Sequence, residues 1–173
     1  MLRRGLLIPG PSMCLAPVAY VDSEVSMTEG AGVAVSMADL LDAYEFAEMG
    51  SDWDFGAYVC RRTGVFYFHT DEGISGIKDE LPEDIDNPDL YLALPAKREL
   101  ELGRSLVLDF VQATRPKDYE LMRGHFQKRG AYRQFRSWSD HHGLTQDWYE
   151  FERERTLDAL RGWAVENDLQ ILD

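Results

Sequence analysis

Seven bases crowd the stretch between Arg115 and Arg136, namely Arg115, Lys117, Arg123, Lys128, Arg129, Arg133 and Arg136. Asp118 and Glu120 oppose them, which leaves a local net charge of +5. Aromatic residues interleave with these bases: Tyr119, Phe126, Tyr132 and Phe135. Cationic side chains can hold phosphates or carboxylates while a neighbouring ring stacks a nucleobase. Residues three and four apart share a helix face, so Lys128, Arg129, Tyr132, Arg133 and Arg136 form the candidate ligand or partner surface. The competing reading is structural. The same rings can glue one helix to its neighbours, and the bases can pair with acids elsewhere in the chain. If the surface is a ligand surface, its guanidinium groups should stand exposed beside an accessible Tyr132. The expectation is that Arg133 is exposed and that Arg129 or Arg136 is paired internally.

Other chemistries find less support. Asp52-Trp53-Asp54-Phe55-Gly56 and Asp84-Ile85-Asp86-Asn87-Pro88 both begin like a calcium-binding loop. The first has its glycine one place early and Thr63 where a bidentate glutamate belongs. The second has a rigid proline at a ligand position and Asp89 where glycine must turn. No glycine-rich turn runs into Lys-Ser or Lys-Thr, so a phosphate loop is absent. Gly73-Ile74-Ser75-Gly76 lacks the spacing of a nucleophile elbow. Among the histidines, His69, His125, His141 and His142, the adjacent pair point about 100° apart on a helix and suit its negative carboxyl end. His125 has no carboxylate at helical spacing to orient it. The reading therefore assigns no catalytic, cofactor-binding or metal-ligating residue and leans away from an enzyme.

With 173 residues, 45% of them hydrophobic, the chain has material for one well-packed core. Its 31 acids outnumber 18 bases, for a net charge of −13. The excess is concentrated between Val33 and Gly103, where 16 acids meet five bases; from Arg104 onward, 12 acids face 11 bases. An acidic surface repels nucleic acid and anionic membranes at long range, so a whole-surface nucleic-acid binder is disfavoured and no membrane partner is expected. The two cysteines, Cys14 and Cys60, are too few for a disulfide framework or a four-ligand zinc site, which fits a reducing cytoplasm. Met1-Leu2-Arg3-Arg4 and the apolar residues after it imitate a signal peptide. Pro9 and Pro11 cut that run short of the 7–15 residues or so that one needs. Residues 1–32 read as a flexible extension, dispensable for folding, and 33–173 as one domain.

The elements that would position the basic stretch follow from local pattern. Ser36-Met37-Ala38-Asp39 is a capping box that opens a helix with Leu40, Leu41, Tyr44 and Ala47 inward and Gly50 as its stop. Ala57–Arg61 and Val65–Thr70 are strands joined by a three-residue loop, Arg62-Thr63-Gly64. That loop length puts Tyr58, Cys60, Phe66 and Phe68 on one face and Ala57, Val59, Tyr67 and His69 on the other. Residues 71–89 read as an exposed acidic loop, and Tyr91–Pro95 as a short third strand or an extended lead-in. Four helices follow. They run from Lys97 to Thr114, from Pro116 through Phe126, from Ala131 to His142, and from Thr145 onward. Trp148 and Trp163 lie in the apolar arc of the last, opposite Glu150, Glu154, Asp158 and Arg161. The sum is an α+β fold: an N-terminal helix, a small antiparallel hairpin or sheet, and a four-helix C-terminal half.

One run is more specific than its packing value. Arg129-Gly130-Ala131-Tyr132-Arg133-Gln134-Phe135-Arg136 precedes Gly143-Leu144 and Trp148-Tyr149-Glu150-Phe151, with Tyr91-Leu92-Ala93-Leu94-Pro95 upstream. In that order the chain resembles the uncharacterised bacterial protein family numbered zero-one-five-eight in the UPF series. The resemblance extends from about Met37 to Leu172 and implies no catalytic residues. The functional expectation is a cytoplasmic, non-enzymatic protein-interaction or regulatory domain that docks a protein partner on its acidic half or its basic helix. The alternative is RNA or DNA phosphate binding through the helices of 115–136. A third class, a hydrolase or transferase, requires an apolar pocket with converging polar groups.

Overall fold

The computed structural model describes residues 32–49, 56–69 and 81–172. The proposed extension, but for Gly32, lies outside the described residues, as do Gly50, the Asp52 loop and the Gly73 run. The described chain is α+β. It begins with β1 (Val33–Ser36) and α1 (Met37–Met49), followed by strands β2 (Gly56–Cys60), β3 (Phe66–His69) and β4 (Tyr91–Ala93). Helices α2 (Arg104–Thr114), α3 (Tyr119–His125), α4 (Ala131–His142) and α5 (Thr145–Glu166) lead to β5 (Leu169–Leu172).

The cap of α1 forms as its sequence dictates. Ser36 Oγ accepts the free amides of Ala38 at 3.1 Å and Asp39 at 3.4 Å. Helical spacing then sends Met37, Leu40, Ala43 and Tyr44 into the core. The carboxylate of Glu48, two turns on, accepts the backbone N–H of Lys97 at 2.8 Å and ties α1 to the entry of the helical half.

β2 lies at the centre of a three-stranded antiparallel sheet in the order β3-β2-β4, so Tyr91–Ala93 is a true third strand. Its register corrects the expected facing. Ala57 pairs with Phe68 and Val59 with Phe66, while Tyr58 pairs with Tyr67. Phe66 and Phe68 therefore share a face with Ala57 and Val59, and that face turns toward α1, where Phe46 meets Phe68 edge-on at 4.9 Å. The connection has four residues rather than three. Cys60 accepts the Gly64 N–H and donates its own to Val65, each at 2.9 Å, and Arg61 turns its N–H to Leu90 on the β4 side at 2.8 Å. The pull of β4 on Arg61 lengthens the loop by one residue and flips every side chain of β3. Gly64 keeps the expected left-handed conformation, with φ of 72°. The acidic stretch from 81 to 90 is a chain of tight turns, including Asn87 N–H to Asp84 carbonyl at 2.8 Å.

A second pairing has no counterpart in the expected fold. β1 and β5 run parallel, Val33 opposite Leu169 and Ser36 opposite Leu172. Arg61 anchors this end by donating from Nη1 to the Asn167 carbonyl at 3.4 Å and from Nε to Pro88 at 3.0 Å. Gly32 lies so close to the Asp168 carbonyl that a side chain there would collide with it.

The helix expected from Lys97 starts later, at Arg104. Residues 97–102 close a separate turn by a Leu102 N–H to Lys97 carbonyl bond at 3.0 Å, with Glu101 at φ of 55°. A left-handed residue at 101 and Gly103 two places on break the helical ladder, so the apolar period of Leu102 and Leu106 crosses a break. The other helices hold close to their expected limits. Gly143, left-handed at φ of 68°, ends α4 with a Leu144 N–H to Ser139 carbonyl bond at 2.9 Å.

The core has two clusters. One gathers Leu40, Val59, Leu92, Leu106, Leu160 and Leu169 from strands, α1, the start of α2 and α5, and the other gathers Val107, Phe110, Val111, Met122 and Phe135 from α2, α3 and α4. Trp148 and Phe151 pack against both, and Trp163 packs against the first. The two tryptophans are thus half-buried structural residues, and Glu150, Glu154, Asp158 and Arg161 stand exposed on the opposite stripe of α5.

Candidate functional site

The bases between Arg115 and Arg136 divide into a neutralised and an uncompensated set. Arg115 donates from Nε to Asp118 Oδ2 at 2.8 Å, and Arg123 pairs with Glu120 at 2.6 Å. Asp118 also accepts the indole N–H of Trp138 at 3.1 Å, and His142 Nε2 lies 3.9 Å away. His142 Nδ1 contacts the Trp138 carbonyl at 2.8 Å, which requires the proton on Nδ1. The Arg115 guanidinium first, and the Trp138 indole second, hold the Asp118 carboxyl below the usual carboxylate range. The rings of His141 and His142 meet edge to face at 5.1 Å, so the two side chains swing together despite their divergent positions on the helix.

This cluster clamps the approach to α3 onto α4, and its pH dependence has a definite sign. A carboxyl with a depressed folded pKa stabilises fully above its unfolded value, about 4, and that stabilisation is lost as the pH falls through the lower folded value. Asp118→Asn is therefore expected to lower the thermal midpoint at pH 7. The gap between variant and parent should close as both are acidified below about pH 4. Thermal melts across that range check it, and a gap independent of pH would remove the carboxylate from the account.

Lys117, Lys128, Arg129, Arg133 and Arg136 are all exposed, and none forms an ion pair with a carboxylate among the described residues. Arg133 is exposed, as expected. Among the described residues the expected internal pairing of Arg129 or Arg136 does not form: Asp118 and Glu120 serve Arg115 and Arg123, and Asp140, four residues after Arg136, accepts the Thr145 hydroxyl. Gly130, left-handed at φ of 81°, opens α4, with Lys128 and Arg129 immediately before it in the chain. A Cβ on Gly130 would lie 3.9 Å from Arg133 Nη2, so that guanidinium folds back over the helix start. Tyr132 is 56% exposed, its ring propped edge-on against Phe126 at 5.1 Å.

Behind this face lies a cavity of about 310 Å³ between α2, α4 and α5. Tyr132 and Arg136 line it along with Phe135 and Ser139 from α4, Trp148 and Tyr149 from α5, and Val107 from α2. Lys97, which pairs with Glu152 at 2.8 Å, lies at its border with a neighbouring cleft of about 550 Å³. In that cleft, burial and then the nearby Glu48 and Glu152 push the Tyr44 hydroxyl far above its ordinary pKa, so it stays a neutral phenol. Of the five residues singled out from sequence, Tyr132 and Arg136 reach the cavity, while Lys128, Arg129 and Arg133 belong to the outer face. Sequence reasoning missed Ser139. A serine next to Trp138 in an amphipathic helix carries no signal beyond its place in the apolar arc.

No helix among the described residues is long and apolar enough to cross a membrane. No curated protein and no solved structure matches the chain. A family model does, over residues 32–172, a span that takes in both members of the β1–β5 pair as well as the basic helix and the cavity. With that match reaching from Gly32 to Leu172, the chain belongs to the uncharacterised protein family UPF0158.

Proposed function

We propose that this protein is a cytoplasmic, non-enzymatic interaction module that docks an acidic segment of a protein partner on the basic face of α4. One observation carries the reading. In a chain with 31 acids, Lys128, Arg129, Arg133 and Arg136 have no carboxylate partner among the described residues. Charges meant only to hold the fold would be compensated, as Arg115 and Arg123 are. Uncompensated arginines around an exposed tyrosine have the composition of an interface centre.

Tyr132 favours a second reading, RNA or DNA phosphates held by the same bases with a nucleobase on the ring. A labelled peptide of alternating glutamate and leucine and a single-stranded oligouridylate separate the two. The peptide is expected to bind more tightly at physiological salt and to lose less affinity as salt rises, since phosphate binding releases condensed counterions. The triple exchange of Arg129, Arg133 and Arg136 to glutamine should abolish peptide binding while changing stability by no more than about 0.5 kcal/mol, as exposed sites do. Tighter, steeply salt-dependent oligouridylate binding would replace the protein-docking reading with the nucleic-acid one. A triple variant that unfolds would make the arginines structural.

A further inference from the structure

Three hydroxyl groups on the helices fold back on their own backbone. Ser105 donates to the carbonyl of Glu101 at 2.6 Å, Thr114 to that of Phe110 at 2.7 Å, and Thr156 to that of Glu152 at 2.8 Å. Ser139 does not. It is 2% exposed, it lines the cavity between α2, α4 and α5, and its Oγ has no hydrogen-bond partner. A buried hydroxyl left unmade is costly, and such groups are nearly always satisfied by protein, ordered water or a ligand. The cavity beside Ser139 is where such a partner fits.

The walls define its chemistry. Phe135 and Trp148 present aromatic surface, meeting edge-on at 4.7 Å, and the half-exposed rings of Tyr132 and Tyr149 continue it outward. A planar ring suits such walls better than an aliphatic chain. The charged groups on the lining are Arg136, Lys97 and Glu152, and the last two neutralise each other at 2.8 Å. Arg136 is left as the net charge, and a free guanidinium favours a carboxylate, which it can grip with two parallel hydrogen bonds. At about 310 Å³ the space is at the lower end of small-molecule pockets, which run from about 300 to 1,000 Å³. Catalysis is not part of the assignment. Among the described residues no base lies within hydrogen-bond reach of Ser139 Oγ to activate it.

We propose that this cavity is a binding site for a small aromatic carboxylate, its ring against the joined wall of Phe135 and Trp148, its carboxylate on Arg136 and a polar substituent on the Ser139 hydroxyl. The site is distinct from the partner-docking surface on the outer face, with Arg136 and Tyr132 common to both. The test titrates ¹⁵N-labelled protein with 4-hydroxybenzoate and, separately, with the neutral 4-hydroxybenzamide, following the indole N–H resonances. The acid is expected to shift the Trp148 signal, leave Trp163 in place, and bind at least tenfold more tightly than the amide. Arg136→Gln should erase that preference, and Ser139→Ala should weaken both probes several-fold without affecting capture of the glutamate-leucine peptide. An unshifted Trp148 at millimolar acid, equal affinity for acid and amide, or a preference that survives Arg136→Gln would each overturn the assignment. The unmoved Trp163 signal serves as the control that each variant is folded.

Discussion

Replacing Phe110 with alanine is expected to cost the fold about 3–5 kcal/mol, the range for deleting a buried aromatic ring. Phe110 is 1% exposed and lies where three helices converge. Its ring meets Trp148 at 5.3 Å, Phe151 at 5.4 Å and Phe135 at 6.2 Å. Edge-to-face and tilted contacts of this kind add roughly 0.5–1.5 kcal/mol each beyond the area they bury. The neighbours cannot easily close the hole, because Trp148 and Phe151 are also held by the strand-side cluster. Collapse toward the missing ring would pull them out of that cluster. Urea unfolding should show the midpoint falling while the slope stays unchanged, since the surface exposed on unfolding is nearly the same. A loss below about 1 kcal/mol would mean that the α2–α4–α5 junction is loosely packed, against the ordinary density of protein interiors.

Gly64→Ala is expected to have the next largest effect, and for a different reason. At φ of 72° an L-residue pays about 1–2 kcal/mol for the left-handed backbone. The added Cβ would also meet the Ala34 carbonyl at 2.7 Å, with the Val33 and Val35 side chains 3.1 and 3.2 Å away. A backbone carbonyl inside a strand cannot rotate aside as a long side chain can. Either β1 shifts or the hairpin loop lifts off, for a total of about 2–4 kcal/mol. Amide exchange gives the more specific readout. β1 and β5 should lose protection before β2 and β3, because the clash lies against β1. A variant within about 0.5 kcal/mol of the parent, with β1 still protected, would show that the loop moves away freely.

The two substitutions probe the parts of this fold that differ most in how readily a sequence reveals them. The helical half was legible because its signals are local. A capping serine, an apolar period of 3.6 residues and glycines at helix ends act within a turn or two of themselves. Thus α1, α4 and α5 fall where their residues place them, down to Gly143. The break before α2 was half legible. Gly103 marks a weak helix position, but the left-handed Glu101 that completes the break is held by its surroundings and has no propensity signature.

The sheet was legible in its strands and illegible in its facing. Loop length sets hairpin register, and whether Arg61 counts as strand or loop depends on the Leu90 carbonyl, nearly 30 residues away in sequence. The parallel β1–β5 pair lies wholly in this second class. Val33-Ala34-Val35-Ser36 and Leu169-Gln170-Ile171-Leu172 are four residues each, at opposite ends of the matched region, and neither is stable as a strand alone. Only the closed core brings them side by side.

The candidate site divides along the same line. Composition by itself determined that Lys128, Arg129, Tyr132, Arg133 and Arg136 form a basic, aromatic surface at the start of one helix, since charge and helical spacing are properties of the chain. Only the tertiary structure decided that no acid among the described residues pairs with the four bases, that Arg136 and Tyr132 also wall a cavity, and that Ser139 is buried beside it with no hydrogen-bond partner among those residues. Those facts depend on where α2 and α5 pack against α4. Such packing is the outcome of two hydrophobic clusters meeting at Trp148 and Phe151, which no single segment encodes.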